Sequence, residues 1–343
     1  MKKRYLVLED GTVFEGYAFG ADKESIGELI FNTNVVGYIE TLTDPTYYGQ
    51  IVLQTFPMIG NYGIIESDFI GESKLSGYVV REWCEKPANF RCEYDIDKFL
   101  KDKGVPGVYG VDTRELTNIL RSKGTMNAVI CDEVPASLDD VKNYKIVDAV
   151  KNTGGTEVSV YLPKTEIKKH LALVDLGSSK NLEITLMDKG YKVTVMPYNF
   201  KAADILELGV DGVIFTEGPG DPKECAEIAQ EIKELFGKKP MFGIGLGHQL
   251  MALSQGADTV KLPYGHHGSN QPAKIAGTAR SLIISQNHGY VVDKDSIKNG
   301  VVSYYSVNDG TVEGIAYEAE KAYSVQFEPT DDIIAEFLKG LEE

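Results

Sequence analysis

Apolar and polar residues alternate with a period of two along residues 3–20, and a polar run with Asp10-Gly11 at its centre interrupts the alternation. An Asp-Gly pair between two alternating segments is typical of a tight β-hairpin turn. Residues 26–63 continue with short apolar runs, which predict strands separated by a polar loop at Asp44-Pro45-Thr46. The pattern therefore predicts a β-rich N-terminal region.

Two later segments of this region, residues 95–103 and 113–123, have the apolar spacing of helices. Asp112 or Thr113 is a suitable N-cap for the second helix, because either side chain can accept a hydrogen bond from the first free amides. Gly124 is predicted to end that helix.

The apolar period is lost between residues 152 and 169, where Gly154-Gly155, Pro163 and several charges occur. Such composition is typical of an exposed connection between domains. We therefore expect an N-terminal domain at residues 1–151, a linker at 152–169 and a C-terminal domain at 170–343.

The C-terminal domain begins with apolar strands separated by helices of about ten to fifteen residues, a pattern that implies a parallel sheet with helices on both faces. From residue 282 the strands follow one another without helices until a terminal helix at 331–341, which predicts an antiparallel flank. The predicted fold class is α/β, with a β-rich domain followed by a domain that has a mostly parallel central sheet. The predicted parallel strands are 171–175, 191–197, 212–216 and 241–244.

Residues 240–254 predict a strand, a sharp turn and a helix. In α/β enzymes such a turn is a nucleophile elbow, which holds a reactive side chain at a strained backbone position beside a helix N-terminus. The central position here is Gly245, which accepts the turn but carries no nucleophile. The sequence thus predicts the frame of an active site without its reactive atom.

Composition limits the partners and the compartment. The 343 residues carry a net charge of −16, which disfavours nucleic acid and anionic membranes as partners. The basic N-terminus lacks the apolar core of a signal peptide, and no apolar run of about 18 residues follows, so we expect a cytoplasmic protein. The cysteines are unevenly spaced and form no CxxC pair, which predicts free thiols rather than disulfides or a zinc site: Cys84, Cys92, Cys131 and Cys225.

Ligands of such a sheet bind at the carboxyl ends of its strands. Four segments are predicted to form loops there: 216–222, the elbow, 285–290 and 324–330. The first is a glycine-rich turn whose amides suit an anion or a developing oxyanion. Each motif is weak alone, but their order and spacing are specific.

Together these motifs resemble the class I glutamine amidotransferases. The matching segments are Gly-Pro-Gly-Asp-Pro, Phe-Gly-Ile-x-Leu-Gly-His-Gln, Gly-His-His-Gly-x-Asn, Gln-Asn-His-Gly-Tyr and Val-Gln-Phe-x-Pro. The first domain narrows the resemblance to the small subunit of carbamoyl-phosphate synthetase, through Leu-Glu-Asp-Gly-Thr, Phe-Asn-Thr-x-x-x-Gly-Tyr-x-Glu-x-Leu-Thr-Asp-Pro-x-Tyr, Ile-Gly-Asn-Tyr-Gly and Val-Asp-Thr-Arg-x-Leu-Thr. The resemblance covers nearly the whole chain.

The resemblance implies a cysteine that attacks the side-chain amide of glutamine. It also implies a histidine that transfers protons and has a glutamate as its partner. Ammonia then passes to a large subunit, which makes carbamoyl phosphate, a precursor of pyrimidines and arginine, from bicarbonate and ATP. ATP and metal are therefore expected on the large subunit, with no cofactor or metal in this chain.

This sequence departs from the family at all three reactive positions. The cysteine position is Gly245, the histidine position is Glu328 and its glutamate partner is Thr330. Thr216-Glu217 also replaces the neutral Ser-Asn pair that is usual before Gly218. Since members of such a unit are strongly interdependent, we expect glutamine hydrolysis by the family mechanism to be lost.

The glutamine-contacting positions are largely retained, and the amides of Gly218 and Leu246 correspond to the oxyanion hole. Retention of these positions does not decide whether glutamine binds, because glycines and buried amides also hold the fold. The carboxylates of Glu217 and Glu328 would weaken glutamine binding if they enter the pocket. If those two carboxylates converge, a cation such as ammonium could occupy the vacated site. By resemblance the contacting positions are Thr46, Gly218, Gly220, Leu246, Gln249, Asn287, Gly289 and Tyr290.

Three other features have simple structural interpretations. Adjacent His266 and His267 face opposite ways on an extended chain, which disfavours a metal pair, and the family has an ordinary loop there. His248 is expected to pack and hydrogen-bond inside the elbow helix. Cys225 is a conceivable relocated nucleophile, although a thiol on a helix face explains it more simply.

Three functions follow. The first is a small subunit that supports the large subunit without hydrolysing glutamine. The second is an active glutaminase subunit that uses another residue, such as Cys225 or a Glu-dependent water. The third is a binding module that senses glutamine or another small amine.

Overall fold

The structure is a computed structural model that describes residues 1–178 and 182–341. The chain divides into two compact units. The first contains residues 1–146 together with 263–268, and the second contains residues 147–262 and 269–343.

The first unit is built on a closed barrel with strand order β1-β2-β8-β6-β4-β3-β9, and β5 pairs with β7 outside it. The alternating N-terminal segment forms the predicted antiparallel hairpin, in which Val7 faces Val13 across the turn. The strands are β1 Lys3–Leu8, β2 Val13–Gly20, β3 Ser25–Asn32, β4 Gln50–Gln54, β5 Met58–Ile59, β6 Gly77–Val80, β7 Glu82–Trp83, β8 Pro106–Tyr109 and β9 Met126–Cys131.

Four helices flank the barrel: α1 Tyr38–Thr43, α2 Ile96–Asp102, α3 Thr113–Lys123 and α4 Asp139–Lys142. The predictions of α2 and α3 are confirmed, and the carboxylates of Asp95 and Asp112 cap them by accepting backbone hydrogen bonds. Helix α1 lies where the sequence predicted only strands and a loop. Its threonines accommodate the helix because Thr41 and Thr43 donate their hydroxyls to carbonyls four residues earlier.

The second unit contains one ten-stranded sheet of order β10-β12-β11-β13-β14-β19-β18-β17-β15-β16. Strands β12, β11, β13, β14 and β19 are parallel, whereas β18 and β17 continue the sheet antiparallel, so the predicted fold class is confirmed. The strands are β10 Ser159–Tyr161, β11 His170–Val174, β12 Lys192–Met196, β13 Gly212–Phe215, β14 Met241–Ile244, β15 Thr259–Ile275, β16 Ser281–Val292, β17 Val301–Ser306, β18 Val312–Tyr317 and β19 Ala322–Val325.

The helices of this unit pack their apolar sides on the sheet. Ile228 and Ile232 of α8 and Leu250 of α9 enter one core, and Phe337 and Leu338 of α10 enter another. The helices are α5 Ala149–Thr153, α6 Leu182–Asp188, α7 Ala202–Glu207, α8 Ala226–Leu235, α9 Leu246–Ser254 and α10 Asp331–Gly340.

Two segments expected as loops are strands. Residues 285–290 lie within β16, and the His266-His267 segment lies within β15. The polar run in β16 is compatible with a strand because its buried Gln286 donates to the buried carboxylate of Glu313 at 2.5 Å. The loop predictions for these two segments are therefore wrong.

Within residues 1–178 and 182–341, no helix has the length and apolar character needed to cross a membrane. The four cysteines are free thiols.

Candidate active site at the carboxyl edge of the parallel strands

The elbow turn lies between β14 and α9, as the sequence predicted. Gly245 has φ 54° and ψ −110° and directly precedes the first residue of α9. Its amide donates to the carbonyl of Val325 in β19 at 2.9 Å, and its carbonyl accepts from the amide of Gln249 at 3.2 Å. A residue with a side chain would be strained in this conformation, whereas glycine adopts it at little cost.

The loop after β13 is fixed beside the elbow by Thr216. The Thr216 hydroxyl accepts from the amide of Leu176 at 3.0 Å and donates to the carbonyl of Glu217 at 2.9 Å. The Thr216 carbonyl accepts from the amide of Gly247 in α9 at 3.1 Å. Because Thr216 is almost fully buried, these bonds are shielded from water and hold the loop against the helix.

Gly218 and Leu246, whose amides the resemblance assigns to an oxyanion hole, lie close together. A Cβ atom placed on Gly218 would lie 2.9 Å from Cδ2 of Leu246 and nearer still to the carbonyl oxygen of Leu176. Neither amide donates a hydrogen bond to an acceptor within residues 1–178 or 182–341. Both amide hydrogens are therefore unused within the described part of the chain.

Gln249 connects α9 to two strands. Its Nε2 donates to the carbonyl of Tyr290 at 2.7 Å and to Oε1 of Gln326 at 2.9 Å. Both hydrogens of this amide group are thus used within the protein, and only its oxygen remains for a ligand. Gln326 is buried, and its own Nε2 has no partner among the described residues.

The remaining positions that the resemblance assigns to glutamine binding have different surroundings. Asn287, Gly289 and Tyr290 are half-buried positions of β16, and a Cβ on Gly289 would meet no atom within 4 Å. Close packing explains the glycine at position 220, because a Cβ built there would lie 2.7 Å from Cβ of Ala149. Thr46 belongs to the first unit, where its hydroxyl donates to the Asp44 carboxylate at 2.6 Å.

The positions that the resemblance assigns to a histidine and a glutamate lie on the segment after β19, the strand that pairs with β14. Glu328 and Thr330 are both exposed. The amide of Glu328 donates to the carbonyl of Ser285 at 3.1 Å, and Thr330 precedes α10 without a side-chain capping bond. This segment supplies no imidazole, the group that would transfer protons near neutral pH.

His248 lies in α9 and is inaccessible to solvent, as its sequence position suggested. Its Nδ1 lies 2.8 Å from the Ser324 hydroxyl, which donates to the carbonyl of Ile315 and so accepts from the imidazole. Burial lowers the pKa of His248 to about 3. The ring is therefore a neutral packing group rather than a titrating base.

Cys225 ends a short 3₁₀ helix, Pro222–Cys225, and is buried. Burial raises the pKa of its thiol to about 12. Since the thiolate is the nucleophilic form, a relocated nucleophile at this position is disfavoured.

Sequence reasoning did not foresee how Glu217 and Glu328 differ. Glu217 is half-buried, and its Cβ lies 2.9 Å from the place where a Cβ of residue 245 would be, whereas Glu328 is exposed. The only sequence signal was the replacement of a neutral residue by Glu217.

Two family models match the chain, one in its N-terminal part and one in its C-terminal part. The family model "Carbamoyl-phosphate synthase small chain, CPSase domain" matches residues 6–130, and "Glutamine amidotransferase class-I" matches residues 172–330. The carbamoyl phosphate synthase small chain of Clostridium perfringens is 45% identical, over 98% of this chain and 99% of that protein. The small chain of Listeria monocytogenes serotype 4b is 44% identical, over 96% and 92%. The pyrimidine-specific small chain of Halalkalibacterium halodurans is 43% identical, over 95% and 91%.

Proposed function

Because the chain belongs to the family of carbamoyl-phosphate synthase small chains, we propose that it is a synthase small subunit that does not hydrolyse glutamine. In this role it binds and stabilises a large subunit, which makes carbamoyl phosphate from free ammonia, bicarbonate and ATP. ATP and its metal belong to the large subunit, so this chain needs no cofactor of its own.

The observation that carries the proposal is the elbow at Gly245. The backbone there has the conformation that would present a nucleophile, yet no side chain is present. Attack on a carboxamide by the family mechanism needs a thiolate, and no other residue of the turn supplies one. Loss of one member of such a unit costs on the order of 10⁶ in turnover in a comparable hydrolase.

The acid–base positions support the same conclusion. Glu328 is an exposed carboxylate in the place of an imidazole, and Thr330 cannot act as the carboxylate partner of a histidine. Cys225 does not replace the missing thiol, because its high pKa keeps it protonated at neutral pH.

The retained frame supports a role in the assembled enzyme. Thr216, Gly247 and Gln249 hold the loop after β13, the elbow helix and two strands together by hydrogen bonds that need no substrate. A scaffold of this kind keeps its shape after its chemistry is lost, and so continues to present the same surfaces to a large subunit.

The test is to purify the chain with its large subunit and to measure two reactions. We expect ammonia-dependent synthesis of carbamoyl phosphate and no release of glutamate from glutamine. A small chain that carries the elbow cysteine, assayed in the same way, serves as the positive control.

Glutamate release near that of the control would contradict the proposal and favour an active glutaminase. Failure to bind any large subunit, combined with calorimetric binding of glutamine, would instead favour a sensor. Treatment with an electrophilic glutamine analogue, followed by mass spectrometry of the labelled peptide, identifies the nucleophile if hydrolysis occurs.

A further inference from the structure

We propose that the segment 216–218 closes the elbow through Glu217, so that the volume of the missing nucleophile is filled by the protein itself. This inference rests on the proposed function and deepens it, because it states why carboxamide substrates are excluded. It also predicts that position 245 needs a glycine for two separate reasons: its backbone conformation and the close approach of its neighbours.

The first observation is a steric one. A Cβ atom built on Gly245 would lie 2.9 Å from Cβ of Glu217 and 3.3 Å from its Cα. Real Cβ atoms essentially never approach another heavy atom within 3.0 Å, so any larger residue at position 245 requires the Glu217 segment to shift. The close atoms belong to the backbone and the root of the side chain, which rotamer changes do not remove.

The second observation is that this segment is fixed from three sides. Thr216 is held by Leu176 and by Gly247 through the hydrogen bonds described above. A Cβ on Gly247 would lie 2.7 Å from Cβ of Phe215, so β13 and α9 are in direct backbone contact. Gly218 is equally tightly enclosed, between Leu176 and Leu246. A shift that made room at position 245 would therefore break buried hydrogen bonds and close packing.

The third observation concerns chemistry. Beyond its Cβ, Glu217 carries a methylene group and a carboxylate, where the resemblance implies a shorter neutral side chain. A substrate carboxamide must be placed directly over the nucleophile position, and this space is bounded by Glu217.

A double-mutant cycle tests the steric part. Gly245→Ala adds a Cβ at φ 54°, and Gly209→Ala is the matched control, because Gly209 has φ 64° and nothing within 4 Å of its Cβ position. Both changes place an alanine at positive φ, but only the first introduces an overlap. We expect Gly245→Ala to lower Tm by about 5 °C more than the control, and Glu217→Gly to remove at least half of that excess. Equal Tm losses, or an excess unaffected by Glu217→Gly, would overturn the proposal.

Calorimetric titration with glutamine tests the functional part. The wild-type chain and Glu217→Gln, which keeps the side-chain volume and removes the charge, are expected not to bind. Glu217→Gly is expected to bind with heat that saturates at millimolar glutamine. Absence of binding to a folded Glu217→Gly variant, or equal binding to Glu217→Gln, would refute steric closure. Neither the Tm nor the binding measurement depends on hydrolysis. The proposed function is tested separately, by glutamate release.

Discussion

The resemblance assigns the elbow and the segment after β19 to one catalytic unit, yet the two regions differ in how the protein holds them. Thr216 and Gly247 at the elbow are buried and hydrogen-bonded across three elements. Glu328 and Thr330 are exposed, and Thr330 does not cap the helix that follows it with its side chain. Packing therefore constrains the elbow positions, whereas the side chains of Glu328 and Thr330 lie at the surface.

This difference explains which features persist. A position with close neighbours on several elements is constrained by the fold whether or not a substrate is bound. A surface position away from packing contacts tolerates replacement once catalysis no longer selects it. We therefore expect substitutions to lower the free energy of unfolding strongly at the elbow and only slightly after β19.

The largest effect is expected from Gly247→Ala. The new Cβ would lie 2.7 Å from Cβ of Phe215 and closer to its carbonyl oxygen, and both belong to a buried strand. We expect the free energy of unfolding to fall by about 3 kcal/mol or more, measured by urea denaturation.

The control is Gly340→Ala in α10, where nothing lies within 4 Å of the Cβ position. That change should be neutral or should stabilise the protein by up to about 1 kcal/mol, because alanine favours the helix. Similar losses for both variants would show that close packing at the elbow is not the cause.

The next effect depends on pH and concerns His248. The folded protein keeps this ring neutral down to about pH 3, whereas the unfolded chain takes up a proton near pH 6.5. The unfolded state therefore binds more protons as the pH falls. We expect His248 to lower the free energy of unfolding by about 2 kcal/mol between pH 6.5 and 5.

Urea denaturation of wild type and His248→Gln across this range measures the difference between the two curves. The variant should show the flatter curve, because the group that titrates only on unfolding is absent. Parallel curves would mean that the ring is protonated in the folded protein, against the burial found here.

A smaller loss is expected from Thr216→Val. Valine keeps the shape but leaves the buried amide of Leu176 without its acceptor, which costs roughly 1.5 kcal/mol. Thr216→Ser retains the hydroxyl and should recover most of this stability in the same denaturation assay. If serine is as destabilising as valine, the methyl contact rather than the hydrogen bond holds the loop.

The smallest effects are expected after β19. Thr330→Ala removes no capping bond, and Glu328→Gln keeps the side-chain shape at an exposed position, so each should alter the free energy of unfolding by less than about 0.5 kcal/mol. A loss of more than about 1 kcal/mol in the free energy of unfolding at either position would show that the segment after β19 also contributes to stability.

The sequence predicted features with local causes. The N-terminal hairpin follows from alternation around Asp10-Gly11, and α3 follows from helical spacing after the cap Asp112. The β/α alternation predicted the parallel strands, and the glycine at position 245 predicted an elbow without a nucleophile. In each case the deciding residues are neighbours along the chain.

Other features were decided by distant partners. Helix α1 forms although its β-branched residues favour strands, because Tyr38, Ile39 and Leu42 are buried in the core of the first unit. The polar run of β16 is a strand because Glu313 of β18 satisfies Gln286.

The chain's sequence alone determined that the elbow lacks a reactive atom, because one residue type at one position decides this. Only the tertiary structure decided that Glu217 lies against Gly245 and that Cys225 is buried. Close approach and burial depend on residues that are far apart in the chain, and no local pattern specifies them.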